Sequence, residues 1–136
     1  MSTSQHAPMD GLARWHAVAA ARNPALLEDA LADDGVFESP VVHRPQPGKA
    51  LTTMYLTGAL MTLGNESFRY VGEWRAERSA VLEFTCEVDG ITVNGVDMLW
   101  WNEAGRITRF KVMVRPLKGM EILRAKMAAL LEQMKG

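Results

Sequence analysis

Asp97 is the residue whose type and position are best suited to chemistry. It interrupts an otherwise apolar stretch, residues 96–101, and strand alternation places it on the same face as Leu99 and Trp101. A carboxyl group in apolar surroundings is costly to ionise, so its pKa is expected to rise and the neutral acid can donate a hydrogen bond. Two interpretations remain open. Asp97 is either a pocket carboxylate that binds a ligand or acts as an acid–base catalyst, or a buried carboxylate that accepts a hydrogen bond from the Trp15 indole.

The other ionisable residues give weaker signals. His16, on the first predicted helix, and His43, in a proline-rich loop, are available bases, although a surface position is the commoner one for each. Cys86 is the single cysteine and is expected to be an inert buried thiol. Because no group of histidines and cysteines has the spacing of a zinc site, we predict neither a metal nor a cofactor.

Aromatic side chains supply an apolar wall for a predicted ligand pocket. The residues expected to line it are Trp15, Phe37, Ser39, Tyr55, Trp74, Asp97 and Leu99. Each aromatic residue of this set is also explained as an ordinary core residue. The hydroxyl of Tyr55 is a further group that can reach the pocket.

The composition predicts one globular domain and excludes several classes of partner. The chain has 136 residues, of which 48% are hydrophobic, and 15 basic residues oppose 16 acidic ones for a net charge of −1. Without an excess of positive charge, nucleic acid is not an expected partner. No apolar run of membrane-spanning length occurs, and the first ten residues lack the features of a signal peptide. We therefore predict a cytoplasmic protein with no membrane association.

The spacing of apolar residues predicts helices in the first half of the chain and strands in the second. The predicted helices cover about residues 9–21, 25–32 and 49–63, with a short strand at 36–41 between the second and the third. Strands follow at 68–76, 81–88, 96–101 and 107–115, with a hairpin turn at Asp89-Gly90, and an amphipathic helix at 118–134 closes the chain. This order predicts an α+β fold, in which helices cover one face of a curved antiparallel sheet.

Two segments resemble a known family. They are LADDGVFESPV at residues 31–41 and GVDMLWWNEAGRI at residues 95–107. Together with the order of elements, they resemble the nuclear transport factor 2-like superfamily, and within it the SnoaL-like and ketosteroid isomerase-like proteins. The resemblance implies one cone-shaped domain over residues 9–134, with a pocket between the sheet and the N-terminal helices and a flexible tail at 1–8. It covers about residues 10–116, and the C-terminal helix lies outside the isomerase pattern.

The resemblance also bears on activity, because the isomerase uses three groups: an aspartate base, a tyrosine and a protonated aspartate. By motif, the base position falls on Ser39, the tyrosine position on Trp15 and the third position on Asp97. A serine hydroxyl does not take a proton from carbon near neutral pH. We therefore do not expect a competent ketosteroid isomerase.

A second surface is predicted on the outer face of the sheet, through which relatives commonly dimerise. Its residues are Glu87, Met98, Trp100 and Arg109. An exposed tryptophan beside a methionine is better explained by a partner than by solvent, and the opposite charges permit two-fold pairing. We therefore predict a homodimer.

These observations lead to three functional hypotheses. The first is a protein that binds a small, largely apolar, oxygen-bearing molecule. The second is an isomerase, polyketide cyclase or hydrolase-type enzyme in which Asp97 acts as acid or base. The third is an interaction module whose cone is filled by its own side chains.

Overall fold

The computed structural model describes residues 10–135, which form a curved, open sheet covered by helices. The helices are α1 (Gly11–Ala21), α2 (Leu27–Ala30, preceded by the 3₁₀ turn Pro24–Leu26), α3 (Lys49–Leu63) and α4 (Leu117–Lys135). The strands are β1 (Leu31–Glu38), β2 (Gln46–Pro47), β3 (Arg69–Arg75), β4 (Ser79–Val88), β5 (Ile91–Trp101) and β6 (Ile107–Arg115). The predicted α+β class is confirmed. The tail predicted at residues 1–8 lies outside the described residues.

The sheet has six strands in the order β2-β1-β6-β5-β4-β3. Strands β3 to β6 form the predicted antiparallel meander, in which each strand pairs with the next. β1 joins β6 in parallel, so the sheet is mixed. A parallel neighbour requires a long connection, which α3 and the first three strands of the meander supply here.

The second helix is shorter than the sequence pattern predicted. It ends at Ala30, whereas the predicted helix continued to Ala32. Leu31 and Ala32 are buried and belong to β1, where Leu31 pairs with Ile107, because burial in the sheet outweighs their helix propensity. The segment Asp33-Asp34-Gly35 therefore lies within β1, at an irregularity in its pairing with β6.

Short-range hydrogen bonds and backbone angles explain several element ends. The carboxylate of Asp10 accepts the amide hydrogen of Ala13 at 2.8 Å and caps α1. The side-chain oxygen of Asn23 accepts the backbone amide hydrogen of Ala25 at 3.0 Å and caps the start of the 3₁₀ turn. Asp89-Gly90 has φ angles of 51° and 78°, which are the positive values that a two-residue hairpin between β4 and β5 requires.

The core lies between the inner face of the sheet and helices α1, α3 and α4. Alternate residues of β4 and β5 are buried, as a sheet with one packed face requires. Helix α4 packs against α3, β5 and β6. Within residues 10–135, no helix is long and apolar enough to cross a bilayer.

Candidate functional site

A cavity of about 160 Å³ lies between the inner face of the sheet and helices α1, α3 and α4. Its wall is largely apolar. The lining residues that carry an N–H group, an O–H group or a charge on the side chain are Trp15, Ser39, Tyr55, Tyr70, Asp97 and Arg124. An engineered cavity of about 150 Å³ in another protein holds benzene, so this one has room for a single ring or a comparable branched chain.

Five of the residues that the sequence analysis placed in a pocket line this cavity: Trp15, Phe37, Ser39, Tyr55 and Asp97. Phe37 and Tyr55 stack with ring centroids 5.4 Å apart. Trp15 meets Phe110 edge-on at 4.6 Å. These ring contacts give the cavity a rigid aromatic side that suits a flat or ring-shaped molecule.

Trp74 does not line the cavity, which corrects the prediction made for it. Its side chain is 59% exposed, and its cross-strand partner Val81 belongs to the outer face. The pairing of β3 with β4 shifts between Tyr70 and Gly72, where β3 has one extra residue. Such a bulge reverses the alternation of side chains along a strand. Tyr70 therefore faces the cavity beside its partner Phe84, whereas Trp74 faces outward.

Leu99 is a second correction, since it is fully buried but does not line the cavity. Its cross-strand partners are Ala80 on β4 and Phe110 on β6, and both are buried. These side chains fill the inner face of the sheet at this level, so Leu99 belongs to the core.

A chain of hydrogen bonds connects three lining residues on three elements. The indole nitrogen of Trp15 on α1 donates to the hydroxyl oxygen of Tyr70 on β3 at 2.7 Å. That hydroxyl in turn donates to Oδ2 of Asp97 on β5 at 2.5 Å. The sequence analysis considered Trp15 as the direct partner of Asp97 and did not identify Tyr70, which lies between them.

Burial dominates the electrostatics of this chain. Asp97 is only 6% exposed, and burial raises its pKa to about 7, although the hydrogen bond from Tyr70 lowers it in part. Burial and the nearby Asp97 charge raise the pKa of Tyr70 well above its usual value. Near neutral pH, the carboxyl group of Asp97 therefore exists in both protonation states, while Tyr70 keeps its proton.

The second carboxyl oxygen of Asp97 is available to a ligand. Within residues 10–135, Oδ2 accepts the hydrogen bond from Tyr70, and Oδ1 takes part in none. The hydroxyl of Tyr55 likewise forms no hydrogen bond with a described residue. When Asp97 is protonated, it can donate to a carbonyl oxygen, and when it is ionised, it can accept from a hydroxyl group.

Ser39 holds the segment after β1 beside the cavity. Its hydroxyl oxygen accepts the backbone amide hydrogens of Val41 at 3.0 Å and Val42 at 3.4 Å. These bonds engage the oxygen as an acceptor and leave the hydroxyl hydrogen free to be donated. Ser39 is thus a local turn-forming residue that also faces the cavity.

Neither candidate histidine lines the cavity. Nε2 of His16 lies 2.7 Å from a carboxylate oxygen of Glu73, and both side chains are 43% exposed. His43 is exposed in the loop before β2. Among residues 10–135, no three histidine, cysteine, aspartate or glutamate residues are grouped so that they could hold a metal ion.

The residues predicted for a dimer lie on the outer face of the sheet. Trp100 is paired with Arg109, whose guanidinium carbon is 4.5 Å from the centroid of the indole ring. Arg109 also donates to Glu38, and this hydrogen bond lowers the pKa of that carboxyl group. Met98 is half-buried on the same strand as Trp100, and Glu87 is exposed near the far end of β4.

Comparison with solved structures places this fold among known proteins. A steroid delta-isomerase from Pseudomonas aeruginosa is 36% identical, with 91% of this chain and 90% of that chain covered and a TM-score of 0.85. An uncharacterised protein with a cystatin-like fold from Silicibacter pomeroyi is 31% identical, with 88% of this chain and 83% of that chain covered and a TM-score of 0.80. The epoxide hydrolase/cyclase-like enzyme SalBIII shares the fold. It is 16% identical, with 79% of this chain and 89% of that chain covered and a TM-score of 0.62.

The curved sheet and the helix-covered cavity define the class of this protein, and the identities define its relatives. The chain belongs to the nuclear transport factor 2-like superfamily, alongside the steroid delta-isomerase and SnoaL-like proteins. No family model and no curated protein matches this sequence. The resemblance found in the sequence motifs is confirmed.

Proposed function

We propose that this protein binds a small, largely apolar molecule through one oxygen function. The observation that carries the proposal is Oδ1 of Asp97, a carboxyl oxygen that forms no hydrogen bond within residues 10–135 and belongs to a residue lining an otherwise apolar cavity. Among the described residues no buried side-chain oxygen or nitrogen lacks a partner, so Oδ1 is accessible from the cavity, where a ligand hydroxyl or carbonyl group can form a hydrogen bond with it. The chain from Trp15 through Tyr70 fixes the carboxyl group in place for such a contact.

Two observations argue against steroid isomerisation as the function. By the motif resemblance, the position of the isomerase base falls on Ser39, and the Ser39 hydroxyl oxygen already accepts two backbone amide hydrogens. The cavity volume of about 160 Å³ also suits one ring better than the four fused rings of a steroid. The relative from Pseudomonas aeruginosa therefore supports a shared fold rather than a shared substrate.

An acid–base enzyme is the second candidate, and the raised pKa of Asp97 favours it. A group with a pKa of about 7 can give and take protons at neutral pH. Most acid–base mechanisms also need a second titratable group, and His16 and His43 lie away from the cavity. We therefore rank binding first. The third hypothesis, a filled cone, is disfavoured by the cavity volume.

The binding proposal is tested with three probes of nearly the same shape: acetophenone, 1-phenylethanol and ethylbenzene. We expect the two oxygen-bearing probes to bind about 3- to 10-fold more tightly than the hydrocarbon, which corresponds to one net hydrogen bond. Calorimetric titration measures the affinities, and the NMR signal of the Trp15 indole N–H reports whether the cavity is the site.

Two variants control this titration. Asp97→Asn retains a polar amide and is expected to weaken the preference for oxygen, while Asp97→Leu is expected to abolish it. Asp89→Asn removes an exposed turn carboxylate and should change nothing. Equal affinity of the wild-type protein for all three probes, or an unperturbed Trp15 signal, would contradict the proposal.

The proposal includes a cytoplasmic homodimer formed through the outer face of the sheet. Its support is apolar surface at that face, where Val71 is 51% exposed, Trp74 59% and Met113 50%. Such exposed apolar residues on one face are typical of an interaction surface.

A further inference from the structure

Arg124 is an exposed cation at the edge of the apolar cavity. It lies on the side of α4 that covers the cavity, next to Leu123 and one turn from Ala128, both of which also line it. Of the lining residues, Arg124 and Asp97 are the two with charged side chains. The charged side chains of the cavity wall therefore come from two different elements, β5 and α4.

No ion pair within the described residues explains this arginine. Lys126, two residues further along the same helix, pairs with Asp89 at 3.0 Å, whereas Arg124 has no ion pair or hydrogen bond in residues 10–135. One turn before it, Glu121 carries a negative charge but forms no ion pair with it, and Met120 and Ala128 are uncharged. Arg124 is also the eighth of the 19 residues of α4, so it is too far from the C-terminus to stabilise the helix dipole.

We propose that the ligand carries a carboxylate group, which Arg124 binds at the α4 side of the cavity while Asp97 binds an oxygen function at the other end. The proposal rests on the function proposed above and narrows it to oxo or hydroxy carboxylic acids with an apolar body. A guanidinium group presents paired N–H donors that match the two oxygens of a carboxylate. The free hydroxyl hydrogen of Ser39 is a further donor in the same wall.

The charge balance favours a carboxylate over a phosphate. Arg124 supplies one positive charge to the cavity, which one carboxylate neutralises. A phosphate monoester carries up to about two negative charges near neutral pH and would need a second cation. Among the described residues that line the cavity there is no second one.

The probes that test this proposal are 4-oxo-4-phenylbutanoate, its homologue 5-oxo-5-phenylpentanoate, and the methyl esters of both. Titrations are carried out at pH 6, where the probe carboxylates are ionised and Asp97 is mostly protonated. We expect the better-fitting acid to bind on the order of ten-fold more tightly than its ester, as one charge-assisted contact predicts. Raising the salt concentration should reduce this difference.

Two variants distinguish a specific contact with Arg124 from a nonspecific effect of positive charge on α4. In Arg124→Gln, the acid should bind no better than its ester, because the variant loses the charge-assisted contact that only the carboxylate makes. Lys126→Gln, a matched change on the same helix, should keep the full difference. If the acids gain nothing over the esters in the wild-type protein, or if Arg124→Gln keeps the gain, the carboxylate proposal is overturned and the binding proposal stands. If neither the esters nor acetophenone binds, both proposals are overturned.

Discussion

The side chains of Trp15, Tyr70 and Asp97 donate hydrogen bonds in one direction, towards the carboxyl group. Because the Tyr70 proton is engaged with Asp97, Tyr70 cannot at the same time donate that proton to a ligand. The group left to meet a ligand is Oδ1 of Asp97, whose protonation state decides whether it donates or accepts. Recognition at this residue should therefore depend on pH near neutrality.

The same carboxyl group makes stability depend on pH. The pKa of Asp97 is about 7 in the folded protein, and that of an unfolded aspartate is about 3.9. Since the folded state keeps the proton over this range, the stabilisation is complete below pH ~4 and is lost as pH rises through about 7. Relative to Asp97→Asn, we expect the free energy of unfolding of the wild-type protein to fall by up to about 1.4 kcal/mol per pH unit between pH ~5 and ~7.

Urea denaturation at a series of pH values measures this dependence. Asp89→Asn should follow the wild-type curve, because its carboxylate is exposed in a turn. Parallel curves for the wild-type protein and Asp97→Asn would show that Asp97 does not hold a proton in the folded state.

At the residue scale, the sequence was sufficient to predict the cavity-lining residues whose side-chain type indicates a buried position. Asp97 stands out as a carboxylate among apolar residues, and Trp15, Phe37 and Tyr55 are aromatic residues on predicted elements. Tyr70 was missed although simple alternation places it on the same face as Trp74, which was predicted to line the pocket. Trp74 faces outward because of the bulge in β3, and nothing in the local alternation marks that inserted residue. Arg124 was missed because only apolar positions were used to define the covering face of α4.

At the element scale, periodicity predicted the long elements and left their pairing open. Helix α3 covers the residues predicted for it, 49–63, and the four consecutive strands form the expected meander. The parallel pairing of β1 with β6 was not predicted, because it joins segments about 70 residues apart and depends on tertiary packing. Glycines at two element contacts show how closely the packing constrains the chain.

Gly95 and Gly119 should respond in opposite ways to alanine. At Gly95 in β5, a Cβ atom would lie 2.4 Å from the carbonyl oxygen of Met113 and 2.7 Å from Phe84, so Gly95→Ala should destabilise the protein by about 1–3 kcal/mol. At Gly119 in α4, the nearest atoms are at 3.4 Å, so Gly119→Ala should stabilise it by about 0.5–1 kcal/mol through helix propensity. Urea midpoints measure both effects, and a loss of stability in Gly119→Ala would contradict the packing described for α4.

At the scale of the whole molecule, the two faces of the sheet differ in burial. The inner face builds the core and the cavity, while the outer face leaves Val71, Trp74 and Met113 about half exposed. Glu87 and Arg109 lie towards opposite ends of this face, since Arg109 is level with Ser79 at the start of β4. A two-fold axis through the centre of the face would bring each of them near its opposite charge in a second copy.

The proposed dimer is tested by light scattering at micromolar concentration. We expect a mass of about 30 kDa, twice the chain mass of 15.1 kDa, because association would cover the apolar outer face. Met113→Lys places a charge on that face and should shift the mass towards the monomer. Met61→Lys is the matched control, since Met61 is 60% exposed on α3, away from the sheet. A monomer in the wild-type protein over this concentration range would refute the dimer.

The bulge in β3 has a consequence beyond the outward orientation of Trp74. β3 is an edge strand, and a regular edge strand offers free backbone groups to which strands of other molecules can add, a route to aggregation. The extra residue, Val71, distorts this edge, and Arg69, Glu73 and Arg75 place charges along it. A chain that lost Val71 would keep Tyr70 opposite Phe84, because the pairs on either side of the bulge are then continuous, but it would regain a regular edge. We therefore expect such a chain to keep the polar site and to lose part of its protection against intermolecular strand addition.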